Sequence, residues 1–383
     1  MIFFKTVSRL AGAVLVAGLP RAVVAAGSNN YTLTTLYDQW NFFKEFDFQT
    51  FDPANGFVKY VDAVTANKDK LAGYTDGLIY LGVDHTNKST MGAMGGRPSV
   101  RVNSTKQFNG GLFVVDIVHM PSGKTDNDSC GLWPAFWLSG STWPVDGEID
   151  IIEGRNTQST PINTFHTGDN CTDMSNEGSR EGTILRGTVC KGGTGCRQDA
   201  TIKGAYGADL NSAGGGIFVL EWAEDHLSQW FFGRDTKMPA SVSAAIASIS
   251  SATPDYSSSV PPKPALQIDV SGFGTPITRF NSGPKCSIKD NMRNNNIIIN
   301  TDFCGWAGKA EEWGTNEICS KLGSSCDEYV ANHPEAFKDA YWLIRSISVY
   351  QKSGDDAPGA TGNSTTSRHK REQNGIGGFR KEL

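Results

Sequence analysis

Short apolar runs alternate with clusters of Gly, Ser, Asn and Pro throughout residues 31–351, a pattern typical of strands joined by turns. Near the end of this span, Ile347 and Val349 alternate with Ser346 and Ser348, which predicts a strand with one buried and one solvated face. About a dozen such strands indicate an all-β fold of two stacked antiparallel sheets. The predicted strands are 57–61, 78–83, 99–102, 112–118, 136–138, 148–153, 163–166, 217–222, 228–232, 266–270, 297–300 and 344–350.

Helical patterns are short and few. Residues 326–331 and 335–341 are the two segments predicted to be helical. The stretch 241–264 is rich in Ser, Ala and Pro, and we expect it to form a long surface loop.

The two ends of the chain differ in composition from the middle. Residues 1–26 combine a basic start, an apolar core and small residues before the cleavage position, which is the pattern of a signal peptide. The apolar run is far shorter than the roughly 20 residues of a membrane-spanning helix. Residues 353–383 are polar and lack apolar periodicity, which predicts a disordered tail. One domain is therefore predicted over residues 27–352.

The charge and the aromatic content narrow the class of partner. A formal net charge of −5 argues against nucleic acid or an anionic membrane as the ligand. The chain carries 9 Trp, 20 Phe and 10 Tyr, which suits an aromatic-lined surface for a neutral substrate. We expect the protein to act as a monomer.

Eight cysteines follow the signal peptide, an even number that predicts up to four disulfides in an exported protein. Metal binding is the alternative, but there is no Cys-x-x-Cys pair and the histidines are scattered. Spacing makes Cys190/Cys196 and Cys319/Cys326 plausible pairs, and the connectivity stays open. Six N-x-S/T sequons suggest some glycans, and they begin at Asn30, Asn87, Asn103, Asn127, Asn170 and Asn363.

The candidate chemistry lies in a strand that interleaves Glu148, Asp150 and Glu153 with isoleucines. Crowded carboxylates are unfavourable, and like charge and partial burial both raise the pKa of one member, which is how a general acid arises at mild pH. A calcium site and a salt-bridged strand are the alternatives. Calcium draws its ligands mainly from loops, and few basic residues lie nearby in the sequence. The pattern favours acid–base catalysis.

The spacing of the acids predicts a β-bulge. Glu148 and Asp150 share a face by the two-residue period, whereas Glu153 points to the opposite face in a regular strand. One extra residue at Ile151/Ile152 returns Glu153 to the acid face. The Cα atoms of Glu148 and Glu153 are then about 13 Å apart at about 3.3 Å per residue. Glutamate side chains leaning inward can close this to the roughly 5–5.5 Å between the carboxyl groups of retaining glycosidases.

Residues 147–154 (GEIDIIEG) match the bulged E-x-D-x-x-E motif of glycoside hydrolase family 16, and the chain resembles the fungal endo-β-1,3(4)-glucanase (laminarinase) branch of that family. The resemblance covers about residues 31–351. It implies a jelly-roll β-sandwich, concanavalin A-like, with a substrate cleft across the concave sheet. The flanking motifs are 133–137 (WPAFW), 164–168 (TFHTG), 230–232 (WFF), 295–300 (NNIIIN) and 303–308 (FCGWAG).

The resemblance also implies roles for the three acids. Glu148 is expected to be the nucleophile and Glu153 the general acid/base of a retaining double displacement, and Asp150 is expected to hydrogen-bond the nucleophile. The expected activity is that of a secreted endo-β-glucanase acting on internal β-1,3 linkages. The sequence leaves strict β-1,3 against mixed β-1,3/1,4 cleavage open, because the loops around the cleft decide it.

An endo-acting cleft must hold several sugar rings, and indoles can stack on their C–H faces. Trp137, Trp143 and Trp306 match positions that line the cleft in the resembled enzymes. Without such a match, a tryptophan on a strand more often belongs to the core. Three further tryptophans are predicted to be core residues: Trp133, Trp222 and Trp230.

Two polar residues also match cleft positions. The resemblance places His166 beside the acid/base, where it orients Glu153 or a sugar hydroxyl; a structural histidine is the alternative. Arg101 matches an arginine that contacts sugar hydroxyls. The sequence has no convincing phosphate loop or nucleotide fingerprint and no G-x-S-x-G elbow, and we predict neither a cofactor nor a catalytic metal.

Two other functions compete with hydrolysis. A transglycosylase shares the covalent intermediate, but wall-remodelling relatives usually carry the unbulged E-x-D-x-E spacing, so the extra isoleucine favours hydrolysis. A non-catalytic glucan-binding protein is expected to lack one or both glutamates, and this chain has both.

Overall fold

Each predicted strand overlaps a strand of the computed structural model, which describes residues 29–92, 95–251, 267–306 and 308–352. The predicted signal peptide, the predicted tail and residues 252–264 of the predicted loop lie outside the described residues. The strands are β1 (Asn30–Asp38), β2 (Phe46–Phe48), β3 (Val58–Tyr60), β4 (Ala72–Thr75), β5 (Leu78–Leu81), β6 (Arg97–Ser99), β7 (Arg101–Phe108), β8 (Gly111–His119), β9 (Leu132–Gly140), β10 (Glu148–Glu153), β11 (Ile162–His166), β12 (Ile184–Arg186), β13 (Cys196–Asp199), β14 (Gly216–Trp222), β15 (His226–Gly233), β16 (Gln267–Asp269), β17 (Thr278–Asn281), β18 (Asn295–Phe303) and β19 (Trp342–Lys352).

The strands form two large antiparallel sheets, as predicted. The first sheet runs in the order β16-β1-β19-β8-β14-β15-β17, with β5 also paired to β19 and β4 to β5. The second sheet, which carries the acids, runs in the order β12-β13-β11-β10-β9-β18-β7-β2. A short parallel pair joins β3 and β6.

The main core lies between these two sheets. Ile149 and Ile299 reach it from the second sheet, and Phe113 and Ile347 reach it from the first; all four are fully buried. Because alternate residues of a strand face opposite sides, the other face of the second sheet is free to carry polar side chains.

The first sheet is covered on its outer face as well, so the predicted solvated face of β19 is wrong. Ser346 and Ser348 are buried. Ser348 donates a hydrogen bond to the carbonyl of Val114, which belongs to a second apolar cluster on this side. Ser346 pairs with the buried Asp116 of β8.

Part of that cover is a helix, α4, in a segment predicted to be a loop. Residues 240–251 are helical, and Val242 and Ala245 are buried in the outer cluster. Packing of this small apolar stripe decides the structure, although serine is common in the segment. The helices are α1 (Phe42–Glu45), α2 (Ala63–Lys68), α3 (Gly207–Ser212), α4 (Ala240–Ser251), α5 (Ile288–Asn291), α6 (Ala310–Thr315) and α7 (Cys326–Asn332).

The helix predicted at 326–331 is therefore confirmed as α7, whereas the helix predicted at 335–341 is reduced to a 3₁₀ turn at Pro334–Phe337. The other 3₁₀ turns in the described part of the chain are Asp126–Asp128, Val270–Gly272 and Cys319–Lys321. None of the described helices is long and apolar enough to cross a membrane.

All eight cysteines are paired, and one of the two predicted pairs is wrong. Cys190–Cys196 is confirmed, but Cys319 and Cys326 each bond to a cysteine distant in sequence. Both lie in a small third cluster under α7, where the strand ends present other partners. The disulfides are Cys130–Cys319, Cys171–Cys286, Cys190–Cys196 and Cys304–Cys326.

Candidate active site

Strand β10 contains the predicted bulge. Asp150 pairs with Trp137 of β9 and Ile152 pairs with Phe136, so Ile151 is the extra residue. The register with β11 also shifts by one residue between Ile149 and Glu153. The bulge that the five-residue spacing required is confirmed on both sides of the strand.

The bulge places all three acids on one face. Glu148, Asp150 and Glu153 pair with Ser139, Trp137 and Ala135, which are alternate residues of β9 and therefore share a face. The isoleucines of β10 turn the other way into the main core. Apolar burial on one side thus fixes the acids on the other.

At one end of the bulge, Trp133 Nε1 donates a hydrogen bond to Glu153 Oε1 at 2.8 Å. The prediction that Trp133 belongs to the core is wrong, although Trp222 and Trp230 are buried as expected. A signal for this position was present in the sequence, because Trp133 shares the two-residue period of Trp137 on the same strand.

Tyr206 also lies beside Glu153, and no sequence pattern pointed to it. Its ring packs so closely on Gly154 that a Cβ there would lie 2.4 Å from the phenol oxygen. Burial raises the pKa of Tyr206 well above its usual value, and the negative charge of Glu153 adds to the effect.

At the other end, the indole N–H of Trp143 donates to Glu148 Oε2. Trp143 is half exposed, on the loop that leads into β10. Asp146 anchors this loop: its carboxylate accepts the Thr142 backbone N–H at 3.0 Å and Arg293 Nε at 2.7 Å. A buried carboxylate therefore holds the tryptophan at the edge of the cleft.

His166 lies beside Asp150 and Glu148, so the expected place beside Glu153 is wrong. It is the register partner of Glu148, while the partner of Glu153 is Ile162, four residues back on β11. His166 Nε2 is 3.7 Å from Asp150 Oδ2. The antiparallel pairing puts the end of β11 that carries His166 beside Glu148, at the opposite end of β10 from Glu153.

The environment perturbs two of the acids. Burial raises the pKa of Asp150 well above its usual value, and the neighbouring charges of Glu153 and Glu148 raise it further. Burial also raises the pKa of Glu148, against the hydrogen bonds from Trp143 and Asp150, which lower it. Asp150 therefore holds a proton more readily than Glu148, and a hydrogen bond from its hydroxyl favours the ionised form of Glu148.

The cleft floor continues over β9, β18 and β7. The Arg101 guanidinium carbon lies 4.9 Å from the centroid of the partly exposed Trp137 ring. Trp137 Nε1 donates to Asn300 Oδ1 at 2.8 Å, and Asn300 Nδ2 donates to the Tyr60 hydroxyl at 3.1 Å. The structure thus brings Arg101 and Trp137 together and adds Asn300 and Tyr60, which the sequence had not singled out as candidates.

Trp306 is exposed on the turn that follows β18. Lys309 Nζ lies 3.8 Å from the ring centroid and the Arg155 guanidinium carbon lies 5.5 Å from it. Arg155 also pairs with Glu312 at 3.0 Å. Cations around the indole hold the ring at the surface while leaving it 45% exposed.

Two carboxyl groups in these environments can carry out displacement at a carbon centre. One ionised carboxylate can attack a bound substrate, and one carboxylic acid can protonate the leaving oxygen. Indole N–H groups at both ends of the bulge fix the two side chains.

Comparison with known proteins identifies relatives of this arrangement. A family model described as the XgeA-like, catalytic GH16 domain matches residues 40–350. An endo-1,3(4)-beta-glucanase from Arthroderma benhamiae is 38% identical over 341 residues, which are 86% of this chain and 67% of that protein. The chain spans about half the length of most of the other curated relatives it matches.

Solved structures share the fold. Laminarinase 16A from Phanerochaete chrysosporium, solved with beta-glucans in its donor and acceptor sites, is 34% identical with a TM-score of 0.71; the match covers 84% of this chain and 100% of that one. An elongating GH family 16 beta-1,3-glucosyltransferase is 35% identical with a TM-score of 0.69, over 84% of this chain and 100% of that one. The expected jelly-roll β-sandwich is confirmed.

Proposed function

The chain belongs to glycoside hydrolase family 16, and on that premise we propose that it is a secreted, retaining endo-β-glucanase that hydrolyses internal β-1,3 linkages of laminarin-type glucans. The observation that carries the proposal is the bulge at Ile151, which puts Glu148 and Glu153 on the cleft face of one strand. Laminarinase 16A, with glucans bound in its cleft, supports the substrate class.

In the proposed reaction, Glu148 attacks the anomeric carbon while Glu153 protonates the departing glycosidic oxygen. Glu153 then takes a proton from water, which attacks the glycosyl-enzyme and releases Glu148. Trp143 and Trp133 donate hydrogen bonds that orient the two carboxyl groups. Asp150, carrying a proton, supports the ionised form of the nucleophile.

Sugar binding is assigned to the exposed or partly exposed side chains that flank the acids. Trp137 and Trp306 provide indole surfaces for stacking, and Trp143 closes the edge of the cleft. Arg101 offers N–H donors near the floor, and His166 flanks the acids at the Glu148 end of β10. These groups suit a neutral, hydroxyl-rich polysaccharide.

The roles are tested by Glu148→Gln and Glu153→Gln, assayed on laminarin by release of reducing ends. Both variants are expected to fold and to lose turnover. Azide should restore part of the turnover of Glu153→Gln on an aryl laminari-oligosaccharide with a good leaving group, measured by release of the aryl alcohol, because azide needs no general base and forms a glycosyl azide. Glu221→Gln is the matched control, since Glu221 is buried in the other sheet. Normal laminarin hydrolysis by either catalytic variant would refute the assignment.

Transfer to a sugar acceptor is the second candidate function, because a solved relative of similar identity is an elongating beta-1,3-glucosyltransferase. The extra residue at Ile151 supports hydrolysis over transfer. Incubation with laminari-oligosaccharides distinguishes the two: hydrolysis yields shorter products, whereas transfer yields products longer than the substrate. Parallel incubations with laminarin, lichenan and carboxymethylcellulose define the linkage preference.

We further propose that residues 27–352 form the catalytic domain and act as a monomer outside the cell after removal of residues 1–26. Pairing of all eight cysteines supports an oxidising destination. The expected result is a secreted protein that begins at Gly27 by N-terminal sequencing and sediments as a monomer.

A further inference from the structure

The loop closed by the Cys190–Cys196 disulfide contacts the chain on both sides of His166. Cys196 pairs with Phe165 in the register of β11 and β13. The Thr167 backbone N–H donates to the carbonyl of Cys190 at 2.8 Å. Both cysteines are fully buried. The disulfide therefore fastens the loop to the residue before His166 and to the residue after it.

The loop also touches the imidazole ring directly. His166 Nδ1 is 2.8 Å from the carbonyl oxygen of Gly192. Gly195 has a φ of +61°, and a Cβ there would lie 2.7 Å from His166 Cε1 and Nδ1. Only glycine at this position leaves room for the ring in its observed place.

These contacts determine where the protons of the site reside. A carbonyl oxygen only accepts hydrogen bonds, so Nδ1 carries the N–H and Nε2 faces Asp150. One ligand atom each of Glu148, Asp150 and His166 lie within 4.8 Å of one another. A bare Nε2 lone pair beside an ionised Asp150 is repulsive, so this tautomer of His166 favours the protonated form of Asp150, whose hydroxyl can donate to Glu148.

The other polar and charged groups near His166 are engaged with other partners. Trp143 packs at a ring-centroid distance of 6.3 Å and donates its N–H to Glu148. Arg197 is on β13 next to the ring's strand, but its Nε donates to Asp199 at 2.5 Å. Lys191, in the loop itself, pairs with Asp169 at 3.8 Å. The Asp150 carboxylate, in contrast, faces the ring directly, with Oδ2 3.7 Å from Nε2.

We propose that the Cys190–Cys196 loop is a positioning element that fixes the tautomer of His166, keeps Asp150 protonated toward Glu148, and so keeps Glu148 ionised. The inference rests on the proposed function, because it gives Glu148 the part of the nucleophile. A hydrogen bond from Asp150 lowers the pKa of Glu148 against the larger, opposite effect of burial, which is the expected direction.

Glycine variants test the loop with matched controls. Gly195→Ala forces the ring of His166 aside. Gly193→Ala makes the same change in the same loop, where the nearest atom is 3.9 Å away, on Trp143. Gly204→Ala introduces a side chain at a φ of +74° with no atom within 4 Å, which isolates the backbone strain.

The first measurement is the pH profile of kcat/KM on laminarin. In Gly195→Ala the acidic limb should move to higher pH by about one unit, because Glu148 then binds a proton more readily. On the acid side of the limb kcat/KM should therefore fall about tenfold, and above the limb it should be unchanged. Both control variants should keep the parent profile. An acidic limb of Gly195→Ala that coincides with the parent overturns the proposal.

The second measurement needs no activity. In ¹⁵N NMR spectra, the imidazole signals of His166, assigned by their absence in His166→Gln, should show a protonated Nδ1 in the parent and in Gly193→Ala. They should change in Gly195→Ala. Unchanged signals overturn the positioning role even if laminarin proves not to be a substrate, whereas an inactive parent with changed signals refutes the proposed function and supports the positioning role.

A disulfide pair of variants covers the case in which Gly195→Ala does not fold. Cys190→Ser with Cys196→Ser opens a bridge of sequence separation 6, and Cys130→Ser with Cys319→Ser opens one of separation 189. The longer loop costs more stability in the chain-entropy account. The acidic limb and the His166 signals should nevertheless move only in the first double variant, and the reverse order overturns the proposal.

Discussion

Replacement of Asp150 by Asn tests whether the middle acid works as a neutral group. Asp150 is 2% exposed, and burial, Glu153 and Glu148 together raise its pKa well above the usual value. The protonated acid and an asparagine amide have nearly the same shape, and each can donate one hydrogen bond to Glu148. We therefore expect Asp150→Asn to keep kcat/KM within about tenfold of the parent, an energy of about 1.4 kcal/mol.

The geometry sets the size of the opposite outcome. One carboxylate oxygen of Glu148 and one of Asp150 lie within 4.8 Å of each other. Two negative charges at that separation repel by about 3.5 kcal/mol at an effective dielectric constant of about 20. This corresponds to roughly 2.5 pKa units. If Asp150 were an anion in the parent, removing its charge would lower the pKa of Glu148 and move the acidic limb of the pH profile down by about that amount. If Asp150 is neutral, the limb should stay in place.

The assay is the pH dependence of kcat/KM on laminarin for the parent, Asp150→Asn and Asp150→Ala. Alanine removes the donor to a charged group, worth about 1.5–3 kcal/mol, so a loss of about 10- to 150-fold is expected. Asp116→Asn is the control, because Asp116 is equally buried but lies in the other sheet. A downward shift of the acidic limb by about two units in Asp150→Asn, or a loss as large as that of Asp150→Ala, would refute the reasoning.

Three further predictions concern the cleft. Trp137→Ala and Trp306→Ala should each weaken laminari-oligosaccharide binding by about 1–3 kcal/mol in calorimetry, since each removes a stacking surface; unchanged affinity would mean that the indoles do not touch sugar. Deletion of Ile151 should preserve the strand register and some activity but lower the melting temperature, because a fully buried side chain worth about 2–5 kcal/mol is lost. Ile151→Ala, which keeps the bulge, is the control for packing. A deletion variant that is folded but fully inactive contradicts the prediction. Trp133→Phe should lower kcat more than it raises KM, because the hydrogen bond to Glu153 is removed; a change confined to KM would assign Trp133 to binding alone.

The carboxylate strand could be predicted in detail because its constraints are local. Alternation forces Glu153 off the acid face unless one residue is extra, and the structure places that residue at Ile151. The same rule, applied to β9, would have placed Trp133 with Trp137. The general preference of strand tryptophans for the core points the other way at Trp133.

Features that depend on tertiary placement could not be predicted. Nothing in the sequence brings Tyr206 against Gly154, or pairs Cys319 with a cysteine 189 positions away. The position of His166 was wrong for a related reason: the register of β11 against β10 decides which acid it meets, and register is a property of two strands together. Serine in residues 240–251 suggested a loop, and the outer apolar cluster made the segment a helix.

The third cluster under α7 has a consequence for recombinant production. Cys130–Cys319 and Cys304–Cys326 cross-link this cluster, and Trp306 follows Cys304 by two residues. A bacterial cytoplasm keeps thiols reduced, so enzyme harvested from it would lack the bonds that hold the Trp306 turn. Kinetic constants measured on such material would describe a mixture of thiol states. A host that exports the polypeptide through an oxidising compartment is the appropriate source for every assay of the cleft.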